Sequence, residues 1–156
     1  MSLRYNRVTV QFSKLRFMLL KRFYSKIIIG AGGQGIKGYL KTEGSYLDVE
    51  KPLGLSDLTE IVSEHVWEHL TLPLHGTINC YNALAMFGKL IVSVPHPSSE
   101  TPEDFIKWGH KTTFTSITLK NLFELAEFRE IREVPEDEYD IFYRDTPSII
   151  IEGIKL

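Results

Sequence analysis

The sequence predicts a doubly wound α/β domain built on a mostly parallel sheet. Three observations carry that expectation. Strand and helix signals alternate along the chain from residue 26 onward. The run Ile27-Ile28-Ile29 empties directly into a glycine-rich turn, Gly30-Ala31-Gly32-Gly33-Gln34-Gly35. The chain then closes on two strand-like runs with no clear helix between them. Consecutive β-branched residues suit a strand covered on both faces, the strand type of parallel sheets. Alternation supplies the parallel pairings, and the final two strands add an antiparallel pair at the C-terminal end.

Residues 26–30 read as the first strand and 38–42 (Gly-Tyr-Leu-Lys-Thr) as a short second one ending at Glu43. Tyr46 to Val49 reads as a third, before the turn Lys51-Pro52-Leu53-Gly54. A strand over 59–63 leads at Glu64 into a short helix through Leu70. Residues 76–87 suit a helix, and Lys89 to Val94 a buried strand that Pro95 terminates. Ser98 to His110 reads as a polar, Pro-containing loop. Apolar spacing at Ile117, Leu119, Leu122, Phe123 and Leu125 predicts a helix over 115–126. Residues 128–134 and 148–154 are the closing strands, separated by an acidic loop at 135–140. Only eight residues separate Ile29 from Gly38, fewer than a βαβ crossover needs, so the first crossover helix is expected to be reduced or missing.

At 156 residues the chain fits one domain, residues 26–156, preceded by an arm over 1–25. A chain of this size buries about 70% of its unfolded surface. No apolar run approaches the length that spans a bilayer. The single Cys80 excludes an intramolecular disulfide and a multi-cysteine zinc site, and a reducing, cytoplasmic compartment fits. Residues 1–42 hold nine Lys or Arg and no acid, whereas 43–156 hold nine basic and twenty acidic residues. The body therefore offers no nucleic-acid face, and the unusual charge lies in the arm. Three readings of 1–25 stay open: a helix packed on the domain over the sheet face the missing crossover leaves, a basic amphipathic segment on an anionic membrane surface, or a mitochondrial presequence.

Gly30, Gly32 and Gly35 satisfy G-x-G-x-x-G, a spacing that lets a nucleotide-type cofactor approach bare backbone N–H groups. Glu43, thirteen residues past Gly30, stands where a carboxylate accepts ribose hydroxyls, and Asp48 is placed to meet an adenine amino group. That spacing is short for a dinucleotide. His65-Val66-Trp67-Glu68-His69 matches H-x-x-E-H, in which two His at i,i+4 share zinc and Glu68 serves as general base. His96 lies past a strand end between two prolines, and His110 sits in a loop between Gly109 and Lys111. Cys80 falls inside an amphipathic helix and is expected to be packed.

Six segments in order resemble the class I S-adenosylmethionine-dependent methyltransferases, in their small type-11-like branch. They are Gly38-Tyr39-Leu40-Lys41-Thr42-Glu43, Leu47-Asp48-Val49, Glu64 to Leu70, Val94-Pro95, Gly109-His110-Lys111, and Ser148 to Lys155. The resemblance covers roughly residues 26–156. It implies a Rossmann-like fold, S-adenosyl-L-methionine as cofactor, and methyl transfer to a small-molecule or glycan-type acceptor. It further implies that Gly30, Ala31, Gly32 and Gly35 hold the methionine end, that Glu43 binds the ribose, that Asp48 lies near the adenine, and that Glu64 and His65 border the cofactor. The catalytic base, where one is needed, is expected to be His65 or His96, since imidazole titrates near neutral pH. The H-x-x-E-H match then becomes a coincidence of that helix, and no metal is expected.

The chain also departs from the branch. Asn82 to Lys89 replaces the usual R-x-L-K-P-G-G turn, and His96 stands where an acid commonly follows Val-Pro. A non-catalytic domain of the same fold is thus the alternative, with a zinc hydrolase using residues 65–69 third. Expected partners are the acceptor, a membrane surface through 1–25, and a second copy of the chain as a homodimer.

Overall fold

The computed structural model describes residues 24–30, 38–42, 48–138 and 147–156. Its elements are β1 (Lys26–Gly30), β2 (Leu40–Thr42), β3 (Leu58–Glu64), a 3-10 turn at Trp67–His69, α1 (Pro73–Ala83), β4 (Leu84–Pro95), a second 3-10 turn at Pro97–Ser99, α2 (Pro102–Trp108), α3 (Ser116–Leu125), β5 (Arg129–Glu133) and β6 (Ser148–Ile154). The strands make one six-stranded sheet in the order β2-β1-β3-β4-β6-β5. β1 pairs in parallel with both β2 and β3, and β3 in parallel with β4. β6 runs antiparallel to β4 and to β5. The expected fold class is borne out: a mostly parallel α/β sheet with an antiparallel pair at its C-terminal end.

Alternation along the strands divides the core between the two faces of the sheet. Ile27, Ile29, Ile61, Leu90, Val92 and Ile151 pack on one face with Trp67 and with Cys80, Leu119 and Phe123 from the helices. Ile28, Val62, Ile91 and Ile150 lie on the other face with Val134 and Tyr39, a cluster that among the described residues contains no helix residue. Each large apolar side chain buried in this way contributes about 1.5–3 kcal/mol. The three Ile of β1 serve both faces at once, which is why an unbroken apolar run suits this central position. At Gly153 an added Cβ would lie 2.6 Å from the Phe123 ring, so glycine there admits α3 against β6.

The second face also carries a row of charges across five strands. Glu60 on β3 pairs with Lys26 on β1 at 3.6 Å and with Lys89 on β4 at 3.9 Å. Lys89 pairs with Glu152 on β6 at 3.4 Å, and Glu152 with Arg132 on β5 at 3.0 Å. Tyr39 donates its hydroxyl hydrogen to Glu60. The lysine stems lie along the apolar sheet while their ammonium groups reach the carboxylates.

Several sequence expectations need correction. Asp48 and Val49 stand in a turn, closed by the Lys51 N–H donating to the Asp48 carbonyl at 3.0 Å, rather than at a strand end. The helix expected over 64–70 reduces to the 3-10 turn Trp67–His69, because His65 takes φ +50°. The helix expected over 76–87 is α1, which begins at Pro73, a residue whose fixed φ suits a first helical turn, and ends at Ala83. Leu84 to Phe87 therefore belong to β4. The polar loop at 98–110 holds a 3-10 turn and α2, started by a capping box between Thr101 and Asp104. The two final strands, the 115–126 helix and the buried Cys80 agree with expectation. The first crossover, most of the 1–25 arm, and Ala31, Gly32, Gly35 and Glu43 lie outside the described residues. Among the described residues no helix is long and apolar enough to cross a membrane.

Candidate functional site

Parallel α/β sheets bind ligands beyond the carboxyl ends of their strands, where the strand order reverses. From β1 the chain goes first to β2 on one side and then to β3 on the other, so that point lies between β1 and β3. Gly30 ends β1 and is in register with Glu64, which ends β3. Gly30 has φ +89°, and a Cβ there would collide with the Glu64 carbonyl and approach Val66 Cγ2 to 2.7 Å. Only glycine both takes this left-handed turn and lets the two strand ends close up. Gly30, Glu64 and His65 thus come together at the switch point.

His65 follows directly. Its backbone N–H donates to the Ser93 carbonyl at 2.9 Å, which holds the residue in its left-handed conformation over the end of β4. Its Nε2 is 3.1 Å from the hydroxyl of Ser148, the first residue of β6. Burial is the main reason its pKa is lowered, with the charges of His110 and His69 adding to the effect. A lowered value keeps the ring neutral at pH 7.

The other two described candidates are engaged locally. Asp48 is exposed, takes the Glu50 N–H at 3.1 Å and pairs with Lys51 at 2.7 Å. The Lys51 partner holds its pKa down. His96 is exposed past the end of β4, and its Nδ1 accepts the Ser98 N–H at 3.1 Å as the cap of the following 3-10 turn.

The residues that sequence reasoning placed least well gather beside His65. Trp67 is fully buried, and its indole N–H donates to Thr77 at 3.0 Å, anchoring the 3-10 turn to α1. This anchor drives the neighbouring Glu68 inward: the residue is 1% exposed, and neither carboxylate oxygen accepts a hydrogen bond from another described residue. Burial raises its pKa from 4.5 to about 8, its own backbone N–H pulling the other way and Glu100 adding to the rise. The ring nitrogens facing it are Nδ1 of His65 and Nε2 of His69, at 4.0 and 3.9 Å from Oε1.

His110 joins this group through α2. Gly109 takes φ +69° as the helix C-cap, its N–H and that of His110 donating to Ile106 and Phe105 at 3.1 and 3.0 Å. The N–H groups of Lys111 and Thr112 then donate to the Glu68 carbonyl at 2.7 and 3.2 Å. The His110 ring, nearly buried, meets the His69 ring edge-on at 4.7 Å between centroids, with the Glu100 carboxylate against its Nδ1. H-x-x-E-H therefore does not form the helical i,i+4 pair of a zinc hydrolase. The signal for His110 was legible as Thr101-Pro102-Glu103-Asp104 followed by Gly109, a helix start and stop that fix where the next residue points.

No protein-family model matches the chain, and no curated protein sequence matches it. Solved structures do. A S-adenosylmethionine-dependent methyltransferase from Archaeoglobus fulgidus superposes with a TM-score of 0.58 at 17% identity, over 94% of each chain. One from Thermotoga maritima gives 0.57 at 16% identity, over 100% of this chain and 96% of that one. PigF with SAH gives 0.53 at 19% identity, over 76% of this chain and 35% of that one. The chain thus matches some relatives along their whole length and spans only about a third of others. At these identities the likeness establishes the fold, which is that of the class I S-adenosylmethionine-dependent methyltransferases.

Proposed function

We propose that this chain binds S-adenosylmethionine across the β1–β3 switch point and transfers its methyl group to a small-molecule or glycan-type acceptor. The observation that carries the reading is the left-handed Gly30 hinge set against Glu64 and His65 at the carboxyl edge of a sheet ordered β2-β1-β3-β4-β6-β5. These residues are compatible with the cofactor: the Cβ-free end of β1 lets the β1 and β3 ends close up at the carboxyl edge, where ligands of parallel α/β sheets bind, with Glu64 and His65 at that same edge. When bound, S-adenosylmethionine supplies an electrophilic methyl carbon on a sulfonium sulfur. The chain's own contribution is to hold the acceptor in line and to exclude water. In this reading His65, whose Nε2 meets the Ser148 hydroxyl and whose pKa burial lowers, takes the proton an acceptor hydroxyl or amine loses. His96, with Nδ1 committed to Ser98, serves as a loop cap.

Calorimetric titration with S-adenosylmethionine and with its demethylated product tests the proposal. Both should bind one per chain, and absence of binding by either at high micromolar concentration would overturn it. Binding without transfer of labelled methyl groups to any acceptor in a small-molecule and glycan panel would assign the non-catalytic alternative. His65→Gln should lower turnover with cofactor affinity kept.

A further inference from the structure

We propose that Glu68, His69 and His110 form a binding site for a divalent transition-metal cation of the Zn2+ class. A carboxylate oxygen of Glu68 and one ring nitrogen from each of the two histidines lie within 4.8 Å of one another. Ligand atoms about 2.0–2.2 Å from a tetrahedral ion stand about 3.3–3.6 Å apart. Short side-chain rotations therefore close the set around an ion.

The second, independent observation is Glu68 itself. Its carboxyl is almost completely buried, and neither oxygen takes a hydrogen bond from any other described residue. A buried carboxyl without partners is costly, and buried charges are paired or coordinate metals. A cation between Glu68, His69 and His110 supplies the missing partner. The histidine surroundings agree. His69 presents Nδ1 to the Gly109 carbonyl at 3.4 Å, which turns Nε2, with its lone pair, toward Glu68. Glu100 lies against Nδ1 of His110, the arrangement by which an outer carboxylate orients a metal-binding imidazole.

Two nitrogens and one carboxylate oxygen suit Zn2+ and its neighbours in the first transition row better than Mg2+ or Ca2+, which prefer all-oxygen shells. Three protein ligands also leave a fourth position open for water or an oxygen ligand. His69 is the most exposed of the three and gives that position an approach from solvent. The site differs from the H-x-x-E-H zinc arrangement in its members: Glu68 is a ligand, and His110 takes the place of His65. It stands independently of the methyl-transfer reading.

The test uses the full chain stripped with chelator and titrated with Zn2+ against a competing chelating dye, with Mg2+ as the contrasting probe. The expected result is one Zn2+ per chain, a raised thermal midpoint in Zn2+ alone, and loss of both effects in Glu68→Gln and His110→Asn. His75→Asn, which alters an exposed histidine of α1, should keep both. Glu68→Gln removes a buried ionisable group and is expected to fold without metal, so its loss of binding reads the site rather than the fold. No stoichiometric Zn2+ on the parent protein, or undiminished binding in Glu68→Gln and His110→Asn, would overturn the proposal.

Discussion

Replacing Glu68 with Gln preserves the side chain's shape and removes its proton equilibrium, which makes the pH dependence of folding a direct reading of its surroundings. In the folded chain burial raises the carboxyl from its ordinary 4.5 to about 8. The folded state thus holds the proton more tightly than the unfolded state. The sign follows: stability from this group is full below pH 4.5, where both states are protonated, and is lost as pH rises toward about 8. Each tenfold change in relative proton affinity is about 1.4 kcal/mol, so the loss should approach about 5 kcal/mol in total, with about 3 kcal/mol gone by pH 7. His65 and His69, whose pKa values burial lowers from 6.5, act in the opposite sense by favouring the folded state less as pH falls below 6.5. Both proteins share those histidines, so the difference between them isolates Glu68. Urea unfolding from pH 5 to 8.5, in chelator to keep metal away, should show Glu68→Gln gaining on the parent by about 1.4 kcal/mol per pH unit until the curve levels. Parallel profiles would refute the description of Glu68 as a buried carboxyl without a compensating partner.

Two other perturbations probe the packing that supports this edge. Gly153→Ala should cost about 1–3 kcal/mol of stability by overpacking, since the new methyl meets the Phe123 ring; an unchanged denaturation midpoint would show that α3 is free to shift. Cys80 is fully buried, and burial pushes its thiol up to about 12, so a thiol-reactive dye should label it only after denaturant is added. Rapid labelling of the native protein would contradict the packed α1.

What the sequence made legible was governed by local rules. The triple Ile run read correctly as a central strand because an unbroken apolar stretch fits only a strand covered twice. The final strand pair followed in the same way from two apolar runs without a helix between them. The region 64–70 misled because its apolar and polar spacing suits a helix, while the backbone is set by tertiary anchors: the His65 bond to Ser93 and the Trp67 bond to Thr77. Neither partner is near in sequence. The same holds for His110, which reaches His69 because the Glu68 carbonyl accepts the N–H groups of Lys111 and Thr112 from far along the chain. Glycine spacing marked where β1 ends, but not which side chains would be driven together beyond the strand ends.

The row of charges across the second sheet face has a consequence for assembly. Taken strand by strand through β1, β3, β4, β6 and β5, the signs run plus, minus, plus, minus, plus at Lys26, Glu60, Lys89, Glu152 and Arg132. Interior apolar faces are nearly interchangeable among these strands, and contain little to tell a folding chain which two belong side by side. Charge does tell it. A mistaken pairing of β1 with β4 would set lysine beside lysine, and one of β3 with β6 would set glutamate beside glutamate, like charges that repel directly across a pair of strands. The alternation of sign thus favours the native strand order over these swaps, a distinction the apolar residues alone do not make.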